Sequence, residues 1–387
     1  MDMVLIPLFA GIGVAVGLYA RAVPQGGRSW WGFAAATVAL AFAARLAGHG
    51  WAGTLLAAAA ELAAAGMIWS QSPAAARKYL LAIGLGILAT SAALALTGFG
   101  EIRPATPLDR LAVALLMIGM ALKLGLVPVY FWLPAVARSC SAMTTALIIA
   151  VVDVGTFCEL LALRPIAPWV FEPYAAVWGA LAVASLLGGA MLALAQDELK
   201  PMLAFSSIDD MGYLLLGLAA GGAEGLAGAW FGILGHALGK LVLFGAVGAA
   251  EWSLGRPVTL QTRGLSSRLP VAGAAFMLGA LGFIGIPPTL GFAGHWRLYQ
   301  TGLELGGPAL VAAMAAASAM ALLCYVRAIH RTWLGPMGSH EARALPRLAA
   351  AVLLVLALVP VAFGLAPDRL RPASEIHVAA IRTGSVP

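Results

Sequence analysis

Residues 118–134 read IGMALKLGLVPVYFWLP. An apolar helix runs up to Lys123, is interrupted at Gly125-Leu-Val-Pro128, and resumes as Val-Tyr-Phe-Trp-Leu-Pro134. Proline inside a helix removes a backbone hydrogen bond and clashes with the preceding turn. In lipid the freed carbonyls must find partners in protein or trapped water. A second segment, 270–301, is interrupted in the same way at Gly285-Ile-Pro287-Pro288 and resumes through Gly291-Phe292.

The composition says why lipid is the right solvent for this reading. Of 387 residues, 61% are hydrophobic and 10% charged, and mean hydropathy is +0.93. Soluble domains sit near half apolar and a quarter charged, so a soluble enzyme, a disordered chain and a disulfide scaffold are excluded. At about 20 residues per span there is room for roughly a dozen transmembrane helices. Apolar segments fall at 3–20, 30–47, 52–70, 79–98, 109–137, 142–163, 172–195, 202–221, 225–250, 270–301, 307–332 and 347–366. The first follows Asp2 with no basic leader, which reads as a retained helix and not a cleaved signal. Cys140, Cys158 and Cys324 show no CxxC spacing and imply neither disulfide nor metal framework.

The net charge of +6 is a topology signal and does not point to nucleic acid, because the basic residues sit mostly in short loops. Arg21, Arg28, Arg77, Lys78, Arg138, Lys200, Arg256, Arg263, Arg268, Arg327, Arg331, Arg343 and Arg347 fall on one side. Arg45, Arg103, Arg110, Arg164, Arg369, Arg371 and Arg382 fall on the other. The richer side is expected to be cytoplasmic, with both termini outside.

Ionisable groups within spans cost ~2.5–3.5 kcal/mol each on insertion scales and usually mark an ion or proton path. Here they are Glu61, Lys123, Asp153, Glu159, His236, Lys240, His295 and Arg297. His236 and Lys240, at i, i+4, share a helix face. Histidine changes charge near neutral pH, and a lysine whose acidic partner moves away can release its proton. The alternative is static buried ion pairs, such as Glu61 with Lys123. Glu159, near a helix end, could simply reach the interface. Asp209 and Asp210 read as acids at a helix start, complementing its dipole. Paired broken helices in matching halves point to transporters with inverted repeats; the blander reading is a pair of kinks. The charges at both breaks favour the first, although the halves show no direct sequence identity.

These residues also carry a resemblance. The stretch 118–134 resembles the G-x-x-x-K-x-x-x-x-P-x-H-x-W-L-P signature of the antiporter-like subunits of respiratory complex I. QDELKPMLAFSSIDDMGY at 196–213 is similar to that family's Q-x-D-x-K-R-x-L-A-Y-S-S-I-x-x-x-G, and HALGKLVLF at 236–244 to its H-x-x-x-K-x-x-L-F. GIPPTLGFAGH at 285–295 is similar to G-x-P-x-x-x-G-F-x-x-K/E. The four motifs keep the family's order within residues 52–332. The resemblance implies that Glu61 is the acidic partner, Lys123 the key lysine before the first break, Lys240 an axial lysine beside His236, and His295 the terminal group of the exit. The chain departs from the pattern at Tyr130, Arg138, Asp153, Asp209, Asp210 and His295. Only two segments precede the Glu61 helix where the family usually has four, and no long lateral helix follows, so the resemblance is to a shortened, divergent member. Related assemblies include membrane-bound hydrogenases, formate hydrogenlyases, multisubunit cation/proton antiporters and inorganic-carbon uptake systems.

The expected fold is an all-α polytopic membrane protein with two inverted five-helix repeats, each holding a broken helix. The expected divisions are N-terminal helices at 1–50, a first repeat at 51–165, a second at 166–335, and a last helix and tail at 336–387. The expected function is proton translocation in a complex-I-like NADH dehydrogenase or hydrogenase assembly of the inner (plasma) membrane. The relay would run through Glu61, Lys123, Asp153, His236, Lys240 and His295, with helix breaks at Pro128, Pro287 and Pro288. Partners would be other membrane subunits, lipid and protons, with Na+ as the alternative ion and no nucleic acid. No metal or cofactor is expected, because the chain carries no flavin, iron–sulfur, quinone or paired-histidine haem motif. The alternatives are a Na+/H+ antiporter subunit, a proton-coupling subunit of an inorganic-carbon uptake complex with a zinc-containing soluble partner, and a passive scaffold.

Overall fold

The computed structural model describes residues 2–48, 50–97, 106–335 and 343–370. Arg103, Arg371, Arg382 and the tail from 371 onward lie outside the described residues. The chain is all helix in its regular elements: α1 Asp2–Ala22, α2 Arg28–Ala47, α3 Trp51–Trp69, α4 Pro73–Thr97, α5 Pro107–Lys123 and α6 Trp132–Ser139. There follow α7 Ala142–Leu147, a π-helical turn Ile148–Asp153, α8 Val154–Ile166, α9 Ala175–Leu194, α10 Leu199–Ala220 and α11 Gly222–Leu254. The last are α12 Pro270–Ile284, α13 Leu290–Ala328 and α14 Arg347–Gly364. Among the described residues, ten helices are long and apolar enough to cross a membrane. The difference from the expected twelve has local causes. The helices α5 and α12 stop short at the two breaks, and α13 holds two arms.

Those arms reverse about Gly307, where φ is +62°. Tyr299 donates to Ser318 at 2.9 Å, and a Cβ on Gly302 would meet the Met314 side chain, so the arms lie side by side.

Both breaks open on a left-handed glycine, Gly125 (φ +63°) and Gly285 (φ +79°). That conformation ends a helix without a Cβ penalty. At the first break, the Trp132 indole N–H donates to the Leu122 carbonyl at 2.9 Å. The backbone N–H of Val127 donates to Ser185 on α9 at 3.2 Å. At the second, Thr289 caps α13 by accepting from the Phe292 N–H and donates to the Ile286 carbonyl at 2.7 Å. The polar groups freed by each break are thus re-satisfied inside the protein, as lipid demands.

The core is built around α10 and α11. Every residue of α10 except its last is buried, as is most of α11. The outer helices turn a leucine-rich face outward, with Leu55, Leu88, Ile118 and Val355 well exposed, as a lipid-facing surface requires. Close approach of α9 to α10 depends on glycine. A Cβ on Gly189 would collide with the backbone of Asp209, and one on Gly212 with that of Leu186. Small residues serve helix packing in this way in membranes.

Loop contacts sort the chain into two ends. Gln71 reaches Ser141 and the Gln25 carbonyl. Lys200 reaches the Cys140 carbonyl, Arg327 the Leu194 and Gln196 carbonyls, and Ser253 the Arg343 carbonyl. These connections gather the loops that carry the richer set of basic residues at one end. Arg45 does not fit the loop reading. It is buried in the last turn of α2, for a reason given below.

Candidate functional site

Among the described residues, two groups of buried charged side chains stand one beside each helix break, and a separate pair, Lys200 with Glu251 at 3.0 Å, joins the start of α10 to the end of α11. Lys123 is the last residue of α5. Its ammonium lies 2.7 Å from Glu61 Oε1, with both side chains almost wholly enclosed, and 3.9 Å from Glu159 Oε2. Arg45 holds the other oxygen of Glu159 at 3.2 Å. Thr156 donates to Glu61 at 3.3 Å. The result is a row of alternating charge, Arg45–Glu159–Lys123–Glu61, contributed by α2, α8, α5 and α3. The lysine stem fits because Gly86 on α4 has no side chain; a Cβ there would come within 2.6 Å of Lys123 Cγ. Asp153 ends the π-helical turn. It is 1% exposed, lies within electrostatic range of Glu61, and its Oδ1 has no hydrogen-bond partner among the described residues. An extra residue in a helical turn re-aims the side chains around it, and such turns are frequent at functional sites.

The second group surrounds Asp210 on α10. His236 Nδ1 lies 2.7 Å from Asp210 Oδ2, and His295 Nε2 lies 3.8 Å from Oδ1. His295 Nδ1 sits 3.0 Å from the Gly291 carbonyl, so the ring spans from the second break to α10. Lys240 donates to the Leu203 carbonyl at 2.7 Å and to Ser206. Ser206 in turn shares a hydrogen bond of 2.8 Å with Tyr325. The Lys240 ammonium also stands 3.8 Å from the centroid of the Phe283 ring, a cation–π contact in a dry setting. Asp209 and Asp210 are both within electrostatic range of Lys240.

The structure therefore brings Glu61 and Lys123 into contact, sets Asp153 near them, and joins His236, Lys240 and His295 around α10. Pro128 lies in the first break; Pro287 and Pro288 lie in the second. Four participants escaped sequence reasoning. Asp209 and Asp210 are not caps: α10 starts at Leu199, so both acids lie in the middle of the helix and are buried. A helix dipole acts only within the first turn, and Pro201, a first-turn residue by preference, is the signal that could have shown it. Glu159 does not merely reach an interface, because it lies between Arg45 and Lys123. Arg45 looked like a loop cation because it stands two residues from the end of its apolar run; only its tertiary partner shows otherwise.

Residues 54–321 match the family profile described as NADH:quinone oxidoreductase/Mrp antiporter, transmembrane. NADH-quinone oxidoreductase subunit N of Desulforudis audaxviator is 34% identical over 280 residues, which is 70% of this chain and 55% of that protein. Hydrogenase-4 component B of Escherichia coli is 30% identical over 308 residues, 70% of this chain and 44% of that protein. The chain thus spans about half the length of the curated relatives it matches. A chain of the Mrp complex from Dietzia sp. DQ12-45-1b superposes with a TM-score of 0.86 at 22% identity, covering 94% of this chain and 80% of that one. That likeness speaks for the fold. With four ordered motifs, two broken helices and a profile match over most of its length, the chain belongs to the NADH:quinone oxidoreductase/Mrp antiporter family of polytopic membrane proteins.

Proposed function

We propose that this chain is a proton-translocating subunit of a multisubunit redox or hydrogenase assembly in a bacterial inner membrane. The observation that carries the reading is the pairing of each helix break with a buried cluster of proton-exchanging groups. Glu61–Lys123 stands at the first, at 2.7 Å, and Asp210 with His236 and His295 stands at the second. Buried ions cost several kcal/mol each in desolvation, so a proton path accounts for them better than packing does. In this reading residues 51–165 and 166–335 act as inverted halves. Protons enter at Glu61–Lys123, pass Asp153, Lys240 and His236, and leave past His295, with Asp210 holding both histidines. A neighbouring subunit drives the cycle by pulling Glu61 away from Lys123, which favours the neutral amine. The chain's own groups bind and move protons; the redox chemistry belongs to partners.

The test is Lys123→Ala in the native complex. Coupled proton movement across membrane vesicles should be lost while the complex still assembles; wild-type coupling sinks the reading. Running the same assay with and without sodium separates proton pumping from Na+/H+ exchange.

A further inference from the structure

Helices α1 and α14 pack side by side. The chain leaving α1 is tied at the basic end, where Gln25 accepts from the Met143 N–H at 3.2 Å. The chain entering α14 is tied at the same end through Ser253 and the Arg343 carbonyl. The two helices are therefore antiparallel, and Met3 and Phe363 share the opposite end. Between the helices runs a groove of about 890 Å³ whose floor is Leu234 and Leu238 of α11. One wall extends from Met3 to Leu18 and the other from Leu348 to Phe363. At 1.5 Å per residue each wall is about 22 Å long, most of a hydrocarbon core of about 30 Å. The rims are open, with Val14 63% and Val355 61% exposed. Among the described residues that line the groove, every one is apolar except Arg369. Arg369 belongs to the short turn Pro367–Leu370 beyond α14. The Trp230 indole of α11 donates to the Leu370 carbonyl at 2.7 Å, which pins this turn and sets the guanidinium at the Phe363 end, past the last apolar turn of α14.

We propose that this groove is a binding site for one anionic phospholipid, its acyl chain lying between α1 and α14 and its phosphate on Arg369. The lining selects this occupant over a helix of another subunit. Helices in membranes join through small residues and through hydroxyl or amide side chains that hydrogen-bond across the interface. Gly11, Ala15 and Ala351 are small, but no hydroxyl or amide side chain lines the groove. An apolar channel with one cation at its end matches a ligand with a hydrocarbon body and an anionic head. A guanidinium suits phosphate because it offers paired N–H donors. Asp368, the neighbour of Arg369, does not line the groove, so the lining gives a cationic headgroup no carboxylate. The site also borders the second helix break. A Cβ on Gly364, the last residue of α14, would collide with the Pro288 carbonyl, so the lipid fills the bundle wall beside the helix that packs on that break.

Two variants outside the charged clusters test the site. Gly11 lies midway along the α1 wall, and a Cβ added there meets no atom within 4 Å. Gly11→Phe therefore obstructs an acyl chain without a clash, and it replaces the poorest helix former after proline. Arg369→Gln removes the head contact. In the native complex reconstituted in phosphatidylglycerol nanodiscs, a map should show an acyl chain along the groove and a phosphate beside Arg369. After detergent washing, native mass spectrometry should find one tightly held phosphatidylglycerol in the wild type, and at least fivefold less of that species in each variant. A helix of another subunit in the groove, or residues 371–387 of this chain, overturns the site. So does equal retention in the wild type and both variants. Loss in Gly11→Phe alone, or equal groove density in phosphatidylcholine nanodiscs, overturns selection of an anionic head by Arg369.

Discussion

Lys123 shows how a single residue acquires a role from its neighbours. Its ammonium has Glu61 in contact and Glu159 within 4 Å, and Glu159 is held back by Arg45. Removing one member of a buried pair leaves the other charge uncompensated, which costs about 3–5 kcal/mol. Arg45→Gln should therefore lower the stability of the chain by about 3 kcal/mol, the low end because Glu159 is partly open. Thermal unfolding of the detergent-solubilised complex measures it, and an unchanged midpoint would show that Arg45 is not needed to balance Glu159. Glu61→Gln keeps the shape and removes the charge. It should cut proton flux at least tenfold with assembly intact, and wild-type flux would make the pair a structural fixture.

At the scale of elements, the breaks and the close helix contacts set where these residues meet. The left-handed backbone at Gly125 disfavours any side chain by roughly 1–2 kcal/mol. Gly125→Ala is thus expected to lower the melting temperature and to shift Lys123 at the end of the same helix, which reduced flux would register. Gly189 matters differently, because its neighbour is the backbone of Asp209. Gly189→Val should force α9 from α10 at a cost of about 1–3 kcal/mol, typical of overpacking. That displaces the helix that carries Asp210, so the variant should lose transport more than it loses abundance on immunoblots. Equal losses would assign Gly189 to folding alone.

For the whole molecule, the arrangement is a bundle wrapped around two buried helices, with one charged cluster at the end of α5, a second built on α10 and α11, and an apolar exterior. Its orientation can be read chemically, since the three native cysteines are buried. A cysteine introduced in place of exposed Arg263 should react with a membrane-impermeant thiol reagent only from the cytoplasmic side. Labelling from outside would invert the topology. Purification in mild detergent should bring down further membrane subunits with redox partners. Recovery of a zinc-binding soluble partner, or of small antiporter subunits alone, would move the assignment within the family.

Composition and hydropathy by themselves determined that this is an all-helical membrane protein, because 61% hydrophobic content admits no other solvent. Glycine and proline spacing located both breaks, since local backbone chemistry is written in adjacent residues. The pairing of Glu61 with Lys123 was legible only as one example of a buried ion pair and as an implication of the family resemblance, since several acids and two lysines lie within the apolar segments. Only the tertiary structure decided what surrounds them. Asp210 became the bridge between two histidines, and Arg45 became an internal cation, through side chains contributed by distant helices. A single apolar run cannot reveal this, because its periodicity records which face is buried and not which residue lies opposite. Partner choice depends on helix order, on glycine-mediated close approach, and on one extra residue in the turn that ends at Asp153.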